Sequence, residues 1–181
     1  MSVPLSLPPG DLWVFGYGSL MWRPGFASLE VQLARLHGFH RSLCVYSWVH
    51  RGSEQRPGLV FGLDRGGACV GRAFRVAAEN RDAVVAYLYE REMVTAVYVP
   101  RLSNLTLADG RRVRGLVFVV DRGHRQYAGR LLPDDAARVV RGAAGQSGPN
   151  PEYVQSTLEH LRELRIRDHY LETVAALLET P

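Results

Sequence analysis

Glu92 closes a segment whose apolar residues recur at helical spacing. Val84, Leu88 and Glu92 are four apart, and Val85 lies three before Leu88, so these positions fall on one face of a helix. Glu90 points to a different side. A carboxylate on a packed face is paired, protonated or put to use. In use, it is a general base. Idle, it is the ion-pair partner of an arginine such as Arg91 or Arg72. Helical phase does not separate the two. The second candidate is the run Tyr17, Gly18, Ser19 and Leu20, where a buried apolar stretch stops at a Gly-Ser turn signal. Such a turn can present consecutive backbone N–H groups to a carboxylate or a carbonyl oxygen. Glycine lets a ligand approach the main chain closely. An ordinary β-turn carries the same letters.

Other chemistries find little support. All 22 basic residues are arginine, which excludes a Schiff-base lysine, a P-loop lysine and a lysine general base. The six histidines form no metal constellation: His37 and His40 sit three apart on strand-like flanks and point to opposite faces. There is no HExxH, no cysteine spacing for zinc, no GxSxG elbow and no GxGxxG fingerprint. No metal and no cofactor is therefore expected. Cys44 and His50 have no spacing that favours a nucleophile–base pair, and Cys44 reads as a core residue.

The net charge of +4 and pI near 9.4 raise the question of a nucleic-acid partner. The arginines are scattered among acids, so no nucleic acid is expected. No apolar run is long enough to span a membrane. The first residues carry neither a basic n-region nor a long apolar h-region. With two distant cysteines read as free thiols, the expectation is a cytoplasmic chain.

These residues need elements to position them. The length of 181 residues and apolar fraction of 46% suit a single domain, 1–181, with a proline-rich flexible tail over 1–10. Residues 12–17 read as a short buried strand, and 28–48 as strand in pieces. Residues 59–63 and 69–76 read as a hairpin-like pair joined by Asp64, Arg65, Gly66 and Gly67. Asn80 reads as the N-cap of a helix to about Met93. Strands follow over 96–107 and 114–121, around a turn at Ala108, Asp109 and Gly110. Helices over 133–144, 151–164 and 168–178 complete the chain, so strands precede most helices and the class is α+β.

Several segments together resemble the ChaC family of γ-glutamylcyclotransferases. They are WVFGYGSL at 13–20 followed by Trp22, Pro24, Gly25 and Phe26, then HRGSEQRPGLV at 50–60, VGRAFRV at 70–76, YLYERE at 87–92, and SGPNPEYV at 147–154 with LREL at 161–164. The resemblance covers nearly the whole chain in order. It implies a closed mixed β-barrel with flanking helices. It also implies a lyase-type, cofactor-independent enzyme that turns glutathione into 5-oxoproline and cysteinylglycine, a step of glutathione catabolism. The family's catalytic glutamate falls on Glu92 and its substrate loop on Tyr17, Gly18, Ser19 and Leu20. Tyr153 matches a tyrosine lining the family pocket. The partner implied is a small-molecule γ-glutamyl substrate.

The chain departs from the family pattern just after Glu92, where many members carry Gly-Gly-Tyr and this chain reads MVTAVY at 93–98. That departure keeps open a cyclotransferase acting on other γ-glutamyl peptides or amines. A non-catalytic γ-glutamyl-binding module is the alternative from another class.

Overall fold

The computed structural model describes residues 5–179, so the first four positions of the expected tail lie outside the described residues. Leu5 and Leu7 pack against core side chains. Strands β1 (Leu12–Gly16), β2 (Glu30–Ser47), β3 (Gly58–Val76), β4 (Tyr98–Leu107) and β5 (Arg112–Val120) close a barrel in the order β1-β3-β2-β4-β5. β1 runs antiparallel to β3, pairing Leu12 with Val76 through Gly16 with Arg72, and parallel to β5 at Trp13 and Val14. β4 is antiparallel to β2 and to β5. The barrel is therefore mixed. Every residue of β1 is buried, as its continuous apolar run requires.

Two expectations about elements are corrected. Residues 58–76 form one strand, not a hairpin. Gly66 (φ +99°) and Gly67 (φ +68°) kink it without reversing it, while the Gly66 carbonyl meets His40 Nδ1 on β2 at 3.0 Å. Consecutive glycines supply the left-handed conformations that a bulge uses as readily as a turn. Helix α1 (Arg81–Glu92) begins after Asn80, but the Asn80 side chain makes no capping bond. A single 3₁₀ turn, Ala78–Asn80, leads into the helix, and the Ala78 N–H donates to Asp11 Oδ1 at 3.0 Å. A residue next to β1 thus does the work expected of Asn80.

The chain divides into two compact units, Met1–Arg41 with Leu63–Asp121, and Ser42–Gly62 with Arg122–Pro181. The first is cored by Leu12, Val14, Leu20, Val76, Val84, Leu88, Leu116 and Phe118, so α1 lies on the outside of the strands with its Val84/Leu88 row inward. The second carries α2 (Pro133–Arg141), the short pair β6 (Ala144–Gly145) and β7 (Gly148–Pro149), α3 (Asn150–Glu163) and α4 (His169–Glu179). Within this unit Asn150 is wholly buried, and its amide imitates a neighbouring strand. Its Oδ1 accepts from the Leu59 N–H at 2.7 Å, and its Nδ2 donates to the Leu59 carbonyl at 2.8 Å. Both cysteines are buried and neither is in a disulfide. No described helix is long and apolar enough to cross a membrane.

Candidate active site

Helix α1 delivers Glu92 as its phase dictates. Val84 and Leu88 are buried, Glu90 is exposed, and the Glu92 side chain keeps only 19% of its surface in water. Burial pushes the Glu92 carboxyl above the usual carboxylate range, against a smaller opposing pull from Arg91. The idle reading is half realised. Arg91 Nε lies 3.4 Å from Glu92 Oε1, whereas Arg72 is turned away to donate to the Met21 carbonyl at 3.0 Å.

The loop after β1 folds back as one 3₁₀ turn, Ser19–Met21. The Met21 N–H donates to the Gly18 carbonyl at 2.9 Å, and the Arg23 N–H to the Ser19 carbonyl at 2.8 Å. Leu20 and Met21 are buried and anchor the turn from below, Tyr17 is buried as well, and Ser19 is exposed. A Cβ at Gly16 would stand 3.0 Å from that of Leu20, so any side chain there would crowd the turn. Beside Gly18 there is open space where a side chain would be, with no atom within 4 Å. Leu20 therefore contributes packing and its main chain, while Gly18 and Ser19 form the accessible edge.

Three arginines hold this loop by its carbonyl oxygens. Arg41 of β2 donates through Nε to Tyr17 at 2.6 Å, Arg72 of β3 to Met21 at 3.0 Å, and Arg91 of α1 to Arg23 at 2.6 Å. Arg91 does more. Its Nη1 also meets the Tyr87 hydroxyl at 3.0 Å, and its Nη2 donates to Ser19 Oγ at 2.9 Å. Gly25 makes room for this arrangement: its φ is +78°, and a Cβ there would fall on the Tyr87 hydroxyl. Sequence reasoning named Arg91 and Arg72 only as ion-pair partners for Glu92 and missed their hold on the loop. The four-residue spacing of Tyr87 and Arg91 was a visible signal for one contact. Nothing in the sequence marks Arg41.

Tyr153 belongs to the second unit. Its hydroxyl accepts from the Phe61 N–H at 3.1 Å, its ring meets that of Phe61 at 5.7 Å, and the Arg51 guanidinium lies over it at 5.3 Å. With Asn150 one helical turn earlier, it satisfies the main chain at the start of β3. The structure thus brings residues 17–20 and Glu92 together through Arg91, and gives Tyr153 a separate set of contacts. Among the described residues no group of His, Cys, Asp and Glu is arranged to hold a metal ion.

The mixed barrel thus carries a largely buried carboxylate at the end of α1 and an arginine-braced Gly-Ser turn after β1, joined through Arg91. Residues 12–180 match the model of the family described as ChaC-like protein. The chain is 35% identical to the glutathione-specific gamma-glutamylcyclotransferase of Escherichia coli (strain K12), covering 88% of this chain and 69% of that protein. It is 29% identical to the mouse glutathione-specific gamma-glutamylcyclotransferase 1, covering 95% and 80%. The crystal structure of the yeast gamma-glutamyl cyclotransferase specific to glutathione shares the fold, with a TM-score of 0.84 at 22% identity, over 93% of this chain and 96% of that one. The chain belongs to the ChaC-like family.

Proposed function

We propose that this protein is a γ-glutamylcyclotransferase that converts glutathione to 5-oxoproline and cysteinylglycine, with Glu92 as its general base. The observation that carries the reading is the half-buried Glu92 carboxylate, with its raised pKa, linked through Arg91 to the Gly18/Ser19 edge. The names of the E. coli and mouse relatives support glutathione as the substrate.

The chemistry is intramolecular. The α-amine of the γ-glutamyl group attacks its own γ-carbonyl. A new C–N bond closes the five-membered ring, and the amide bond to cysteine breaks. Both reacting groups belong to one molecule, so holding the folded-back conformer supplies much of the rate. Only the free amine attacks, so Glu92 takes a proton from the ammonium and delivers it to the departing cysteinyl amine; the ring nitrogen sheds its second proton as the lactam forms, and the released amine takes up that equivalent as the product ammonium. A free glutamate (pKa about 4.3) is a poor match for an α-amine of pKa about 8. Burial of Glu92 narrows that gap. The N–H groups of residues 17–20 would receive the γ-glutamyl carboxylate or the carbonyl oxygen on which charge develops. The reaction needs no cofactor.

Incubation with glutathione and mass detection of 5-oxoproline tests the reading. Wild type should form it, and Glu92→Gln should fold normally and lose turnover by several orders of magnitude. Unchanged turnover in that variant removes Glu92 from the mechanism. The altered segment at residues 93–97 supports a second reading, a broader γ-glutamyl specificity. Comparable rates with γ-glutamyl-alanine and glutathione would favour it.

A further inference from the structure

Arg91 touches both halves of the site. Five contacts leave its guanidinium: the carbonyls of Arg23 and Pro24, the Tyr87 hydroxyl, Ser19 Oγ and Glu92 Oε1. Arg41 and Arg72 also donate to loop carbonyls, and Arg41 to the Val70 carbonyl of β3 at 2.7 Å as well. We propose that Arg91 is a positioning residue that couples the loop of residues 17–20 to Glu92, so that one guanidinium fixes the substrate-binding turn and sets the charge beside the base. The proposal rests on the γ-glutamylcyclotransferase reading for its kinetic consequences, but its geometry stands apart from it.

The planar fork explains why an arginine serves here. Its donors point in fixed, divergent directions, so a displacement of the loop is felt at Glu92 and the reverse. Arg91 is also the one charged group among the described residues that acts on Glu92. Glu90 is exposed on another face of α1, Arg72 and Arg41 are turned to loop carbonyls, and the Tyr87 hydroxyl bonds to Arg91 itself. Arg91 favours the carboxylate form, so its removal raises the Glu92 pKa further. Fewer molecules then carry the base at a given pH, and the acidic limb of the rate profile moves to higher pH.

The test measures kcat and KM for glutathione along that limb in wild type, Arg91→Gln, Arg91→Lys and Arg72→Gln. Arg91→Gln should lower kcat/KM by about tenfold to a hundredfold and move the limb upward. Arg91→Lys keeps a positive charge and should bring the limb back toward wild type while KM stays raised. Arg72→Gln, which loses only a loop carbonyl tie, should raise KM and leave the limb in place. An unmoved limb in Arg91→Gln, or an equal movement in Arg72→Gln, overturns the coupling. Carbon-13 NMR titration of the Glu92 carboxyl in wild type and Arg91→Gln reads the same coupling without turnover. An upward shift sustains the proposal even where no 5-oxoproline forms, which would sink the functional reading alone. Coincident titrations overturn it.

Discussion

Glu92 and Arg91 are neighbours in the chain and opposed in their effect. Burial drives the carboxyl toward its neutral form, and the guanidinium 3.4 Å away holds it back. The carboxyl is kept ionisable at a raised pKa, which suits the proton exchange with an amine proposed for it. The face carrying Glu92 was legible in the sequence, because the apolar row at 84 and 88 sets the helical phase. Its partner's reach was not: the contacts of Arg91 with Ser19, Arg23 and Pro24 cross about 70 residues of chain and leave no periodic trace. Ser19 offers a prediction at this scale. Its hydroxyl accepts one of five Arg91 contacts, so Ser19→Ala should cost less than roughly tenfold in kcat/KM, the share of a single hydrogen bond. A loss near that of Glu92→Gln, in the 5-oxoproline assay, would show that the hydroxyl meets the substrate directly.

Elements were read correctly where pattern alone decides them and misread where a neighbour decides. β1 and the four helices needed only apolar runs and periodicity. The strand β3 was split because Gly66 and Gly67 look like a turn, and only its neighbour β2 makes them a kink. The segment after α1 is a third case. Its branched residues diverge: Val94 is 60% exposed and Val97 is buried, so Val94 narrows nothing in the described interior. Ala96 is held at φ +56°, a conformation that costs an alanine about 1 kcal/mol. Ala96→Gly should therefore raise stability by up to about 1 kcal/mol in urea unfolding, less the entropy glycine adds to the unfolded chain. A clear loss would mean that the residue packs where no contact is apparent. Asn150 tests the opposite end of the scale. Its amide answers both polar groups of Leu59 in a wholly buried place, so Asn150→Ala leaves a donor and an acceptor stranded and should cost about 2–4 kcal/mol. A change under half a kcal/mol or so in the same assay would show that water reaches the strand end.

Across the whole molecule, the buried carboxyl proposed as the base is a burden on folding, and pH makes that visible. The folded chain binds a proton at Glu92 more tightly than the unfolded chain, whose carboxyl titrates at the ordinary glutamate pKa of about 4.3. Between that and the raised value the folded state therefore holds more protons, and stability falls as pH rises through the window. Below the window both states are protonated and nothing is lost; above it the full cost of the buried charge is felt. Glu92→Gln has no such titration, and Arg91 keeps its four other contacts. The variant should match wild type in melting temperature in acid, then exceed it by a margin that grows through the window and levels off toward neutrality. A gain of roughly 2–4 °C there is what about 1 kcal/mol makes in a chain of this size. Calorimetry across pH decides the matter. A margin that does not change with pH would place the Glu92 carboxylate in water, and with it would go the physical basis for a base matched to an amine.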